Sequence, residues 1–288
     1  MKKVEGGKQT LRLKNMGFSV LMSVYNGDSS PFFATALESI FLQDLMPNEI
    51  VVVCDGPIRA DLEDILREYR LKFKGVGVVF LNPRLNENKG LGEALRLGTS
   101  YCSFDYIIRM DSDDISISSR LSTLSSYVIN NPEVDVVGSY IEEFTKEPGD
   151  LNRMRVVGLD LMAITQSAHK RNPMNHVTVC IKKSALEESG GYEAVLWHED
   201  YYLWMKMLKQ GCLLENIPEA LVLVRTNDFA GRRIGMTYVR AELNFLGKCK
   251  ELGVMSNIQM LAYIIPRMIV RILPPFIVTH LYSLLRVK

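Results

Sequence analysis

Tyr106-Ile-Ile-Arg-Met-Asp-Ser-Asp-Asp114 is an apolar run that stops abruptly at three carboxylates within four residues. The run predicts a buried strand, and Asp111 and Asp113, two apart, project to the same side of an extended chain. Two carboxylates held that close repel each other unless something positive sits between them. A divalent cation meets that need, because hard cations prefer oxygen ligands. A solvated acidic turn after a strand would read the same way in isolation, so the flanking chain has to decide.

Upstream, apolar runs alternate with helical patterns. Phe18 to Tyr25 is a short apolar run closed by the turn signal Asn26-Gly27-Asp28. Pro31 opens a helical pattern to about Gln43, with Phe33, Leu37, Ile40 and Phe41 on one face. Glu49 to Cys54 is continuous and β-branched, the pattern of a strand buried on both faces, and it ends at Asp55-Gly56-Pro57. Residues 60–72 predict a charged helix, Val76 to Leu81 a strand, and Asn86 to Gly90 a loop that opens a helix through about Ser100. This alternation predicts an α/β fold with a parallel, Rossmann-like sheet and helices on both faces. In such sheets ligands bind beyond the carboxyl ends of the strands. Asn26, Asp55 and Asp111 all fall just past strand ends, and three polar groups converging on one rim point to a ligand cleft.

Downstream, Ser118 to about Asn130 predicts a helix and Val134 to Tyr140 a strand, followed by a polar loop over residues 144–158. Asn172-Pro-Met-Asn-His176 precedes a strand over Val177 to Lys182, and Ser184 opens a short helix ending at Gly190-Gly191. Trp197-His-Glu-Asp200 starts a helix with Leu203, Trp204, Met207 and Leu208 on its apolar face, ending at Gly211. From Leu252 to Lys288 there is no acidic residue, while Arg267, Arg271, Arg286 and Lys288 are basic. Prolines at 266, 274 and 275 are expected to divide this stretch into short amphipathic helices, which read as an interfacial membrane anchor. A core helix pair or an oligomer interface would share the pattern.

Composition removes whole classes. With 34 basic and 33 acidic residues the chain carries no global field for nucleic acid. Its five cysteines are scattered and contain no CxxC, against a disulfide framework or a zinc site and in keeping with a reducing compartment. Residues 1–16 have charge but no apolar core and read as a loose leader rather than a signal peptide. The expected organisation is a flexible leader over 1–16 and a catalytic domain over 17–250. That domain divides into a nucleotide-sugar half, 17–115, and an acceptor half, 116–250, and a membrane-associating tail follows over 251–288.

Tyr25-Asn26, Asp55-Gly56, Asn88-x-Gly90, Asp111-Ser-Asp-Asp114 and Glu199-Asp200, in that order, resemble the motifs of the family 2 inverting glycosyltransferases of the GT-A fold. The matching stretch runs from Phe18 to about Arg225. The resemblance implies that Tyr25 stacks on uracil and Asp55 accepts a base N–H, with Asn26, Asn88, Lys89 and Gly90 lining the nucleotide side of a UDP-sugar. Asp111 would face ribose or sugar and share with Asp113 the ligation of Mn²⁺ or Mg²⁺ at the diphosphate. Asp200 would be the base that deprotonates the acceptor hydroxyl, with Glu199 orienting the acceptor or the base. The tail resembles those of bacterial members acting on polyprenyl-diphosphate-linked sugars. That implies a peripheral hexosyltransferase at the cytoplasmic face of the inner membrane. It would carry glucose or galactose to a GlcNAc-diphospho-undecaprenol acceptor, in a β linkage such as β-1,3, for O-antigen assembly. Capsule or exopolysaccharide synthesis from another donor such as UDP-GlcNAc, or a non-catalytic nucleotide-sugar-binding protein, are the competing readings.

The chemistry of leaving-group departure and hydroxyl deprotonation calls for this set of groups in its own right. No Ser or Cys stands in a triad or elbow context. A phosphatase of the haloacid dehalogenase type places its DxD on the first core strand, whereas three strands precede this one. An EF-hand loop fails at Ser116 and Ser122, and no GxGxxG marks a dinucleotide site. His176, Trp197 and His198 stay open between acceptor contacts and structural roles. Arg109 is expected to pair with one of the aspartates, and Arg232 and Arg233 form a basic loop that would cover the diphosphate.

Overall fold

The computed structural model describes residues 17–226 and 236–272. The leader over 1–16, the basic loop with Arg232 and Arg233, and the tail from 273, with Pro274 and Pro275, lie outside the described residues.

Strand β1 (Phe18–Tyr25), helix α1 (Ser30–Phe41), β2 (Glu49–Asp55), α2 (Ala60–Gly75), β3 (Val79–Leu81), α3 (Leu91–Tyr101) and β4 (Tyr106–Arg109) follow the expected alternation. Because α2 extends to Gly75, the strand expected from Val76 begins only at Val79. Strands β1, β2 and β4 are mainly apolar because both their faces are covered, whereas β3, at the sheet edge, is partly exposed. In β1 and β2, Val20, Met22, Val24, Ile50, Val52 and Cys54 join one core cluster with α1 and α2. Their neighbours Leu21, Val51 and Val53 join a second cluster with α3. Ile108 belongs to the first cluster and Ile107 to the second, so the alternation of side chains along β4 continues the same division.

The chain then runs through β5 (Ile115–Ser116), α4 (Arg120–Asn130), β6 (Val136–Phe144), β7 (Arg153–Arg155), α5 (Leu161–Ala168), β8 (Cys180–Lys182), α6 (Lys183–Glu188), α7 (Glu199–Lys209) and β9 (Leu214–Arg225). Helices α8 (Met236–Leu252) and α9 (Asn257–Ile272) follow. The sheet order is β3-β2-β1-β4-β8-β6-β9-β5, with β7 on β6. The parallel sheet expected from the strand–helix alternation is formed by β3, β2, β1 and β4. Strand β8 runs antiparallel to β4 and to β6, whereas β6 and β9 are parallel. The sheet is therefore mixed, since the strands after β4 extend it in both orientations.

Two further expectations are corrected. The polar loop over 144–158 contains β7, which pairs Ile141–Glu143 with Arg153–Arg155 and makes an antiparallel hairpin. The break expected at Pro266 does not occur, since α9 runs through it to Ile272. Proline removes one backbone donor there, but neighbouring turns carry the helix on. Helices α7, α8 and α9 share a third cluster built on Tyr201, Met205, Phe245, Cys249 and Tyr263. The helical tail thus begins as part of the packed body.

Candidate active site

Sheet register brings the site to one rim. Leu21 lies opposite both Val51 and Arg109, and four residues on, Tyr25 lies opposite Asp55. Asp113 stands the same four residues beyond Arg109, so the ends of three parallel strands deliver Tyr25, Asp55 and the acidic cluster together. A cleft of about 490 Å³ opens there, and a long list of the expected residues lines it: Tyr25, Asp55, Asn88, Lys89, Gly90, Asp111, Asp113, Trp197 and Glu199.

The side expected to take the nucleotide is held by backbone contacts. The Asp55 carboxylate accepts from the amides of Lys89 (2.7 Å) and Gly90 (2.9 Å), clamping the loop that enters α3. Gly56 sits at φ +84, and a Cβ there would lie 2.6 Å from the Asn88 amide nitrogen, so only glycine lets the loop approach. Both Asp55 oxygens thus carry a structural load, which the expected contact with a base would have to share. Tyr25 is 44% exposed, as a stacking ring requires. Asn26 is outside the lining; its carbonyl accepts from Arg59, which fixes the turn.

The acidic cluster divides in three. Asp111 is paired with the buried guanidinium of Arg109, as expected. Asp113 lines the cleft, and the Ser112 hydroxyl between them donates to Asp28 at 2.9 Å. Asp114 turns inward: it is 2% exposed and accepts from the Arg225 amide at 2.8 Å. Burial, followed by the charges of Asp111 and Asp113, pushes its carboxyl well above the usual range. Arg225 itself stacks on Phe32 and Phe144, at 3.8 and 4.5 Å from the ring centres. Asp114 is therefore the clamp that joins the end of β9 to the cluster.

Asp111 and Asp113 suit a hard cation by donor type and by opening onto the cleft. Among the described residues no three His, Cys, Asp or Glu side chains converge to hold a cation alone. That is the pattern of Mg²⁺-type sites, in which one or two carboxylates act together with substrate phosphates and waters.

Glu199, at the start of α7, lines the same cleft and packs close to Gly92 of α3, where an added Cβ would lie 3.3 Å from its own. Burial, reinforced by the Asp200 carboxylate and opposed by Arg109, pushes its carboxyl up to about 7. Asp200 does not line the cleft. It accepts from Asn172 Nδ2 at 2.6 Å and from the Tyr201 amide at 2.7 Å, and burial raises its carboxyl despite those bonds. Trp197 precedes them in a left-handed backbone conformation, φ +61, which costs energy in a bulky residue and marks a constrained joint. Its ring is 45% exposed and stacks on Tyr238 of α8 at 5.0 Å, so it lines the cleft and also packs.

Two expected acceptor residues lie elsewhere. His198 is 5% exposed, stacked on Phe245 at 5.0 Å, and His176 bonds the Tyr192 hydroxyl at 2.9 Å with its ring edge-on to Trp204. Burial, and then the charge of Arg109, holds His176 well below the usual imidazole range. Both are packing histidines, since aromatic neighbours occupy the faces that a sugar would need. Sequence reasoning missed Asp28, Ser23, Ser112, Leu91, Gly92 and the Ala194–Leu196 segment, all on the lining. Asp28 was visible only as part of a turn signal. Burial, then the Asp111 charge, raises its carboxyl against bonds from the Tyr25 amide and Ser112.

The chain matches the glycosyl transferase family 2 description over residues 19–190. A glycosyltransferase of Haemophilus influenzae whose role is uncharacterised is 35% identical over 269 residues, 93% of this chain and 98% of its own. The UDP-Gal:alpha-D-GlcNAc-diphosphoundecaprenol beta-1,3-galactosyltransferase of Escherichia coli is 33% identical, covering 92% of this chain and 95% of its own. Among solved structures, a mannosyltransferase of Pyrobaculum calidifontis in complex with GDP-Man and Mn²⁺ superposes with a TM-score of 0.57. It covers 93% of this chain and 79% of its own at 16% identity, a likeness of fold alone. With the motifs gathered on one cleft and the family match spanning most of the sheet, this chain belongs to glycosyltransferase family 2 and is a glycosyltransferase of the GT-A fold.

Proposed function

We propose that the enzyme transfers a hexose, galactose or glucose, from a UDP-sugar to a GlcNAc-diphospho-undecaprenol-type lipid. The product is a β linkage, β-1,3 by likeness to the galactosyltransferase, in surface-polysaccharide assembly at the cytoplasmic face of the inner membrane. The observation that carries this reading is the single cleft lined together by Tyr25, Asp55, Asp111, Asp113 and Glu199. Similarity to the galactosyltransferase over nearly the whole of both chains supports the donor and acceptor class.

Tyr25 stacks on uracil, and the Asp55-clamped loop with Asn88, Lys89 and Gly90 holds the ribose and diphosphate side. Asp111 and Asp113 would hold Mn²⁺ or Mg²⁺, which when bound supplies Lewis-acid stabilisation of the departing diphosphate. The acceptor hydroxyl oxygen forms the new bond to C1 as the bond from C1 to the diphosphate oxygen breaks. The proton passes to the Glu199–Asp200 pair. Glu199 faces the cleft, so its carboxylate meets the hydroxyl, and Asp200, anchored by Asn172, stands behind it. Attack opposite the leaving group turns an α-linked donor into a β-linked product.

The test incubates the full chain with UDP-Gal or UDP-Glc, Mn²⁺ and a GlcNAc-diphosphate-lipid analogue, and measures label in the lipid. We expect transfer that is lost on chelation and falls about 10³-fold in Asp113→Ala and in Glu199→Gln. Absence of transfer from every nucleotide sugar, or full activity of Asp113→Ala, would overturn the reading.

A further inference from the structure

Helix α9 has one face that nothing in the described structure covers. Its inner side is fixed to the body by Tyr263, 3% exposed, and by Arg267, which donates to the Lys170 carbonyl at 2.8 Å and lies 3.7 Å from Glu242. From Ile258 to Pro266 the exposed positions are Ile258, Leu261, Ala262, Ile265 and Pro266, all apolar, at the three- and four-residue spacing of one helix face. Ile258 is 80% exposed, Leu261 56% and Ile265 52%. The neighbouring α8 exposes Met236 and Leu243 too, but among Arg240, Asn244, Lys250 and Glu251, so its outer face is mixed where that of α9 is apolar.

Charge beside the stripe has one sign. No acidic residue occurs after Glu251, and Lys170 and Arg171, exposed, lie where α9 is tied down by Arg267. Two copies of the chain meeting through this face would bring like charges together, whereas an anionic bilayer complements them. Among the described residues no helix is long and apolar enough to cross a membrane. At 16 residues α9 spans about 24 Å, short of a bilayer core, so the fitting geometry lies in the interface plane.

We propose that the Ile258–Leu261–Ile265 face of α9, flanked by Lys170 and Arg171, is a docking surface for anionic lipid. This deepens, and rests on, the reading of a lipid-linked acceptor. Arg171 immediately precedes Asn172, whose side chain holds Asp200. The docking surface and the proton-accepting pair are thus joined by one short segment.

Sedimentation of the full chain with vesicles tests this. One set is phosphatidylcholine alone and the other contains roughly one-third phosphatidylglycerol. We expect binding to the anionic set, reduced roughly a hundredfold in Ile258→Ser/Leu261→Ser/Ile265→Ser. Lys170→Ala/Arg171→Ala should lose the preference for anionic vesicles. The triple variant should keep its melting temperature, because the replaced side chains are solvent-facing, and its transfer to a water-soluble short-chain acceptor. Vesicle binding by the triple variant equal to that of the parent would overturn the proposal. So would a parent that forms dimers dispersed by the triple substitution and ignores vesicles. Failure of transfer to the soluble acceptor with vesicle binding intact would instead count against the transferase assignment alone.

Discussion

Arg109 is fully buried, and its Nε and Nη1 atoms have no hydrogen-bond partner, yet its charge acts on Asp111, Asp114, Glu199 and His176. A buried cation without full hydrogen bonding is costly unless carboxylates surround it. Here they do, and they belong to opposite halves of the reaction. If Glu199 takes the acceptor proton, activity must rise with pH through about 7, where its carboxylate forms. Arg109→Met removes the one charge that holds Glu199 down, so the rising limb should move to higher pH. Glu199→Gln should abolish that limb along with about 10²- to 10⁴-fold of the rate. Rate profiles of the parent and both variants over pH 5 to 9 check this. An unshifted limb in Arg109→Met would separate the two groups.

Strand β4 and the elements after it show how far local pattern reached. The first four strands and their helices were legible because the strands are short apolar runs, three of them buried on both faces, between helical patterns. The mixed half was not. Strand β9 reads Leu-Glu-Asn-Ile-Pro-Glu, and its turn residues hide a strand that pairs with β6 through register shifts. Helix α5 went unread because only Ile164 and Ala168 are buried on it. In the site, the rim residues were visible because they end strands, while the inward turn of Asp114 depends on Arg225, over a hundred residues away. That clamp makes a prediction. Asp114→Asn keeps an oxygen that can accept from the Arg225 amide, so it should be nearly isosteric and cost under about 1 kcal/mol. Asp114→Ala, which leaves the Arg225 amide without its acceptor, should cost about 1–3 kcal/mol. Urea denaturation of the two variants measures the difference.

For the whole molecule, four carboxylates of the cleft region, Asp28, Asp114, Glu199 and Asp200, hold protons more tightly folded than unfolded. An acid whose folded pKa is raised contributes stability below its unfolded value and loses it as pH rises through the folded one. Glu199 alone therefore removes on the order of 3 kcal/mol between its ordinary 4.5 and about 7. The protein should melt at a lower temperature at pH 8 than at pH 6, and Glu199→Gln should recover part of the difference. Mn²⁺ with UDP, binding only the folded cleft, should raise the melting temperature at pH 8. A melting temperature that climbs from pH 6 to 8 without ligand would contradict the assignment. The alternation of side chains along β4 has a further consequence, for how such an enzyme can vary over generations. Removing or adding one residue between Tyr106 and Asp111 would exchange the two faces of the strand at a stroke. It would exchange buried Arg109, which meets Asp111, with buried Met110, which packs in the first core cluster. Substitutions can accumulate in this segment one at a time, but its length is locked. New sugar preferences in descendants of this chain must arise from the loops around it.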